Sequence, residues 1–402
     1  AWHHEWSPGM HTLLLGGRLV NEQQFSDQKY PTTVFGGEQG RFSIKPSMSL
    51  NSSFAIYTGE LNQICDWDWI TLSAGARYQS GRFQTRDQFE NSDWILAYAN
   101  SVDSSFERIT GYGYLTVEPV ENLWLTGGLA YDVETIPANF RHPPISSGEE
   151  QRSLLGPKAS VVWNFLRPAT LRGIYSQSLG GVSLDQSYRL EPTQLAGFPQ
   201  TFRSLIPESV PGVGSVAAPT YETLGLALDL ELTPQTYAGI QVDRLKSNVR
   251  RQYGVFRLSG VERPFNPEPV AETEVLDYQE DSVMVNVSQL LGRRFVVGAR
   301  FRWADVSLDD SFPNNQPDFT SRQATLYKAT GFVLYQHPSG VFAQADGNWY
   351  GQRNYGYGGE EPGQDFFQGN IYLGYRFPRD HGLVRIGLLN VTGQNYQLNP
   401  LT

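Results

Sequence analysis

Six histidines and one cysteine are the residues best suited to hold a metal or carry a nucleophilic reaction. His3 and His4 are neighbours, so on a strand they point to opposite faces and do not readily chelate one ion together. His11 lies beyond a Ser7-Pro8-Gly9 turn, where it can approach one of them, although a plain pair of polar wall residues is the simpler reading. His337 and His381 fall in turn sequences and His142 in a loop, where solvated side chains are expected. No CxxC or HExxH spacing occurs, so neither a metal nor a cofactor is expected. Cys65 has no second cysteine to pair with and reads as a wall residue. A Ser, His and Asp triad needs a motif to hold it together, and none is present, so no enzyme is expected. The glycine runs at 111–113 and 356–359 lack the strand-to-helix context of a phosphate loop.

Because no chemistry stands out, the informative question is what elements the chain builds. Tyr, Phe and Trp make up 13% of the residues, and 40 Gly with 24 Pro supply turns, a mixture that favours strands. Mean hydropathy is -0.38, and no run of eighteen apolar residues exists to make a membrane helix. A strand crossing a bilayer needs only every second residue to be apolar, so its average stays polar. The formal net charge of -10, with scattered Lys and Arg, argues against a nucleic-acid partner.

Period-two patterns recur along the chain. Leu224, Leu226, Leu228, Leu230 and Leu232 share one face and Gly225, Ala227, Asp229 and Glu231 the other. Phe367, Gly369, Ile371, Leu373, Tyr375 and Phe377 likewise oppose Gln368, Asn370, Tyr372, Gly374 and Arg376. Short turns are expected near residues 7–9, 65–67, 119–122, 166–168, 233–235, 291–293, 337–340 and 378–382. Between them lie long connections such as 131–152, 179–219, 259–273 and 309–321. Alternating short and long connections are the mark of an antiparallel transmembrane β-barrel, with periplasmic turns and extracellular loops. Two strands per interval and a partial strand at each end give about sixteen. Trp67, Trp69, Trp124, Trp163, Phe165, Tyr237, Phe295, Tyr335, Phe342 and Phe377 lie beside the short turns and are expected to form an interfacial girdle against outer-membrane lipid. A soluble propeller or sandwich is the competing fold, and it leaves the turn and loop alternation unexplained.

The stretch Asn390-Val391-Thr392-Gly393-Gln394-Asn395-Tyr396 resembles the end of TonB-dependent receptors, with Gly393 where that family usually has Asp. Residues 189–209 also look like a segment of barrels in that superfamily, including relatives joined to periplasmic helical repeats. The resemblance implies a bacterial outer-membrane location and about sixteen visible strands of a barrel with twenty-two. Residues 1–402 would then be one barrel domain, with the plug and first strands outside this stretch. It further implies uptake of a small solute or metal chelate, driven by a TonB-type energy-coupling protein if a plug lies upstream. An export channel for polysaccharide and a structural barrel subunit remain open as alternatives. The longest loop, 180–219, is the one that in such barrels closes over substrate, and Tyr188, Arg189, Phe198, Gln200, Phe202 and Arg203 are its candidate contacts.

Overall fold

A computed structural model describes residues 1–36, 41–90, 97–181, 188–200, 218–258, 268–314, 319–356, 363–396, 398–399 and 401. The wall begins with β1 (Trp2–Ser7), β2 (Met10–Lys29), β5 (Ser47–Trp67), β6 (Ile70–Phe89), β7 (Tyr98–Val120), β8 (Leu123–Asn139), β9 (Ser146–Leu166) and β10 (Ala169–Leu179). It continues through β13 (Thr220–Thr233), β14 (Thr236–Arg257), β15 (Glu268–Leu291), β16 (Phe295–Ser311), β17 (Phe319–Gln336), β18 (Val341–Tyr355), β19 (Asp365–Arg376) and β20 (Leu383–Leu388). Two small hairpins sit within loops: β3 (Thr32–Phe35) with β4 (Arg41–Ile44), and β11 (Gln194–Leu195) with β12 (Phe198–Pro199). Twenty strands less these four leave sixteen in the wall, the number that the turn spacing predicts.

Neighbouring wall strands pair antiparallel in chain order. Among the described residues β1 pairs with β2 alone and β20 with β19 alone, so the sheet has two free edges. The short connections fall where the turn residues place them. At Gly340, φ is +96°, and a Cβ would meet the Arg376 carbonyl oxygen at 2.3 Å, so the turn between β17 and β18 requires glycine. The turn expected at 65–67 is displaced, because β5 runs on to Trp67 and pairs it with Ile70.

The long connections are shorter than the loops the sequence suggests. Strand β8 extends to Asn139 and β9 starts at Ser146, so most of 131–152 is wall, and β15 likewise starts at Glu268. Polar, turn-forming residues look like loop in sequence, yet an antiparallel ladder tolerates them wherever both faces meet water. Strands β7 and β15 reach 23 and 24 residues, although about 9 to 11 suffice to cross a bilayer.

Side-chain alternation separates the two faces of the wall. Leu224 and Leu226 point outward and are more than half exposed, as do Ile109, Leu129, Leu155, Ile371 and Leu373. A contiguous apolar exterior of this extent is not sustained in water and fits acyl chains. Trp67, Trp163, Phe165, Phe295, Tyr335 and Phe377 ring the turn end of that band on the outer face. A second ring closes it above: Tyr57, Tyr78, Tyr131, Trp303, Tyr327, Trp349 and Phe367. Tyr335 and Tyr327 stand eight residues apart on β17, or roughly 27 Å of strand at about 3.4 Å per residue, which a tilt of about 40° reduces to roughly 20 Å of height between the two rings. Three of the expected girdle residues lie elsewhere. Trp124 alternates with outward Leu125, Tyr237 pairs with Glu231, and Phe342 alternates with outward Val341, which puts all three on the inner face. Nearness to a turn fixes height in the wall, whereas parity fixes the face.

Candidate functional site

The inner face of the wall is polar, and it divides into two arcs with different contents. Over β5 to β13 residues 188–200 of the connection after β10 fold into the lumen. Its β11–β12 hairpin presents Leu195 and Phe198 to Tyr112, Tyr114, Ala130, Ile174 and Ala227. The Phe198 ring rests on Gly225, where a Cβ would come within 2.5 Å of it, so the strand face is pared back to backbone to admit the ring. The Arg172 guanidinium lies 5.5 Å from the centre of that ring, donates to the Ala196 carbonyl at 2.9 Å and pairs with Asp229 at 2.6 Å.

Below this wedge the loop is tied to the wall by buried charge. Glu60 on β5 accepts from the Tyr112 hydroxyl at 2.9 Å and from the Glu191 backbone amide at 3.0 Å. The Tyr114 hydroxyl donates to Glu191 at 2.6 Å and accepts from Gln200 at 3.3 Å, while Arg189 pairs with Glu191. Asn62 donates to the Leu190 carbonyl at 3.2 Å. Arg108, fully buried on β7, pairs with Asp132 at 2.8 Å and Glu134 at 3.2 Å and donates to the carbonyls of Leu179 and Gly180. Arg108 therefore holds the foot of the loop at the end of β10. Ion pairs of this kind cost desolvation and persist only with further hydrogen bonds, which the carbonyls and Thr110 supply.

Of the candidate contacts, Tyr188 is exposed, whereas Arg189, Phe198 and Gln200 are buried against the wall. Phe202 and Arg203 lie outside the described residues. The structure thus brings Arg189, Phe198 and Gln200 into one anchoring cluster with Glu60, Tyr112, Tyr114 and Glu191, partners that no local sequence pattern groups together.

Over the second arc, β14 to β20, Leu401 packs on Leu276, Tyr278, Val306, Leu308 and Ala324 at the loop end, and the turn end is open. A cavity of about 490 Å³ there is lined by Asp243, Ser282, Met284, Arg300, Lys328 and Phe332, with Arg302 at its rim. Asp243 accepts from Ser282 and Gln241, and Arg302 pairs with Glu280 at 2.6 Å. Asp346, further round, is satisfied by Asn348 and Asn370 at 3.1 and 2.7 Å. The cations are placed differently. Lys328 lies 5.0 Å from the Tyr350 ring centre and Arg385 4.7 Å from that of Tyr372, while Arg300 is exposed. Among the described residues none of these three has a carboxylate partner. A cation over a ring face keeps its charge available to an anion.

The extracellular end is narrowed by a third feature. Strand β13 begins at Thr220, opposite Asn248, so among the described residues the last loopward stretch of β14 does not pair with β13. Hairpin β3–β4 crosses the lumen and occupies the vacated edge, pairing parallel at Val255, Phe256 and Arg257. Beneath it Val34, Ile44, Met48, Leu50, Phe89, Val102, Ile145 and Phe256 form a dry layer. Around its flank Arg41 pairs with Asp310 at 3.2 Å, and Arg251 joins Glu274 at 2.5 Å and His142 at 2.7 Å.

An outward apolar band between two aromatic rings, a polar lumen, short turns below and long loops above define an outer-membrane β-barrel, and this chain has that fold. Among solved structures it is similar to the copper transporter OprC, at TM-score 0.56 and 12% identity, over 96% of this chain and 57% of that one. It is similar to the ferric citrate transporter FecA in its unliganded form, at 0.57 and 11%, over 98% and 56%. The ferric-catecholate import receptor Fiu from K12 E. coli gives 0.54 and 9%, over 98% and 59%. The chain thus spans a little over half the length of these proteins. No protein-family model and no curated protein matches the sequence.

Proposed function

We infer that this chain is the wall of a bacterial outer-membrane transporter that passes a small anionic solute along the second arc of its lumen. The observation that carries the reading is that Arg300, Lys328 and Arg385 face the lumen with no carboxylate partner among the described residues, whereas Arg108, Asp132 and Glu134 of the other arc are paired. Cations left unpaired in a confined, partly dehydrated passage raise the local concentration of anions and repel cations. A metal chelate of net negative charge belongs to this class. The named activities of OprC, FecA and Fiu support transport of metal-bearing solutes by a wall of this shape. Energy coupling through a TonB-type protein follows from the family resemblance and needs a plug to receive it.

Full-length protein reconstituted into a planar bilayer tests the charge argument through the reversal potential in a salt gradient. Anion preference is expected, and charge reversal at Arg300→Glu, Lys328→Glu and Arg385→Glu together should abolish or invert it. A cation-preferring parent protein would sink the reading. Density-gradient fractionation of cell envelopes tests the location, with recovery in the outer-membrane fraction expected. Uptake in cells lacking the energy-coupling protein tests the motor, with loss expected.

A further inference from the structure

The cluster of imidazoles at the start of the wall is not used by the transport reading. In β1 and β2, His3 is in register with Leu13, and Glu5 with His11, so His3 and His11 are diagonal neighbours on one face. Trp2, His4 and Trp6 alternate onto the other face, where their rings contact each other, Trp2 with His4 at 5.5 Å and His4 with Trp6 at 4.4 Å. That second face continues outward through Leu14 and Met10. His3, Glu5 and His11 therefore line the inner face at the turn end of the wall.

There His3 Nε2 and His11 Nδ1 stand 3.1 Å apart, with ring centres at 5.2 Å and planes 32° apart. As a hydrogen bond, this contact needs one of the two facing nitrogens to carry a proton. The same separation suits a shared ion, because two nitrogens each about 2.0–2.1 Å from one metal, at right or tetrahedral angles, lie roughly 2.9–3.4 Å apart. The two rings approach from adjacent strands of an antiparallel ladder, which holds their backbones at fixed distance and limits the entropy lost on binding. His3 is exposed and His11 half-buried, so an ion and its remaining waters have access.

We propose that His3 and His11 form a two-imidazole site for a borderline transition-metal ion, Cu²⁺, Ni²⁺ or Zn²⁺, on the luminal face at the periplasmic rim. Both facing nitrogens bind as lone-pair donors. The proton of the bridging hydrogen bond moves through solvent to the other nitrogen of its own ring, so each imidazole stays neutral and none is lost. Water fills the positions that two ligands leave open, and Glu5, in register opposite His11, is the carboxylate on that face of β1. Imidazole donors rank Cu²⁺ above Ni²⁺ and Zn²⁺, so copper binds most tightly. The site needs neither an anionic solute nor energy coupling and stands apart from the transport reading.

The test is titration of the full chain with CuCl₂ and ZnCl₂ by calorimetry, together with copper electron paramagnetic resonance. An extension ahead of Ala1 keeps a free amine from acting as a ligand. One Cu²⁺ per chain is expected, with hyperfine structure from two nitrogens. His3→Ala and His11→Ala should each weaken binding by more than the roughly 10–100-fold loss that an outer-shell partner produces. His4→Ala, on the opposite face, should leave it unchanged. Heat-modified mobility in gels verifies that each variant is folded. Absence of saturable binding to the parent chain overturns the proposal, and so does binding that survives the His3→Ala, His11→Ala double variant.

Discussion

Arg108 shows what a single residue contributes here, because one side chain neutralises two carboxylates and caps two carbonyls at the root of the inward loop. Arg108→Met takes the ion-pair partner from both Asp132 and Glu134, and removing one partner of a buried pair costs about 3–5 kcal/mol. A lowered unfolding midpoint in detergent is the expected result, and adding Asp132→Asn and Glu134→Gln should recover part of it. Phe198→Ala acts on the loop without touching charge. Truncating a buried aromatic costs about 3–5 kcal/mol, and the loop, held then by Leu195 and its polar anchors, should become cleavable by protease between 180 and 219. An unchanged digestion pattern would show that the ring does not secure it. The sequence offers Phe198 as an aromatic in a long loop and nothing more. Its seat on Gly225 and the Glu60 to Glu191 contact join residues far apart in the chain, which no periodicity encodes. The same holds for Arg300, Lys328 and Arg385, which sequence analysis did not single out. Their parity, each on the polar side of a period-two run, was the signal available.

At the scale of elements, the strands were the most legible part, since the five leucines of β13 and the alternating run of β19 need only one fact, that side chains switch faces each residue. Turn chemistry gave the wall count for the same reason. What alternation alone does not give is where a strand stops, because above the lipid both faces are polar and the hydrophobic signal fades, as at β8 and β15. The girdle follows the same logic: distance from a turn was readable, and Trp124, Tyr237 and Phe342 show that the face must be read from parity. The band itself makes a graded prediction. Leu226→Arg, in mid-band on β13, should destabilise the folded barrel by about 2–4 kcal/mol, and Glu222→Arg, above the upper ring, by about 0–1 kcal/mol. Equilibrium unfolding from lipid vesicles measures both. Equal effects at the two positions would place the bilayer elsewhere.

For the whole molecule, the lumen is one asymmetric passage: one arc carries the inward loop and its buried ion pairs, the other opens at its turn end around Arg300 and Lys328 and is covered at its loop end by Leu401, with a dry layer across part of the outer mouth. Sequence analysis anticipated a barrel whose loops meet the solute, and the structure adds that two of those loops turn inward. Hairpin β3–β4 sits over the passage, so its removal should matter to flow. Thr33→Cys with Val255→Cys, at paired positions, should form a disulfide on oxidation and lower solute flux, with recovery on reduction. Flux indifferent to the crosslink would mean that the hairpin never leaves its seat during transport. The seat has another consequence. Without the hairpin the backbone amides and carbonyls of β14 at Val255, Phe256 and Arg257 would lie bare, a template on which a strand of an adjacent molecule could zip. By supplying its own strand there, the chain keeps crowded copies on one cell surface from sticking to each other. A protein trimmed of residues 32–44 should therefore show its defect first as self-association in detergent.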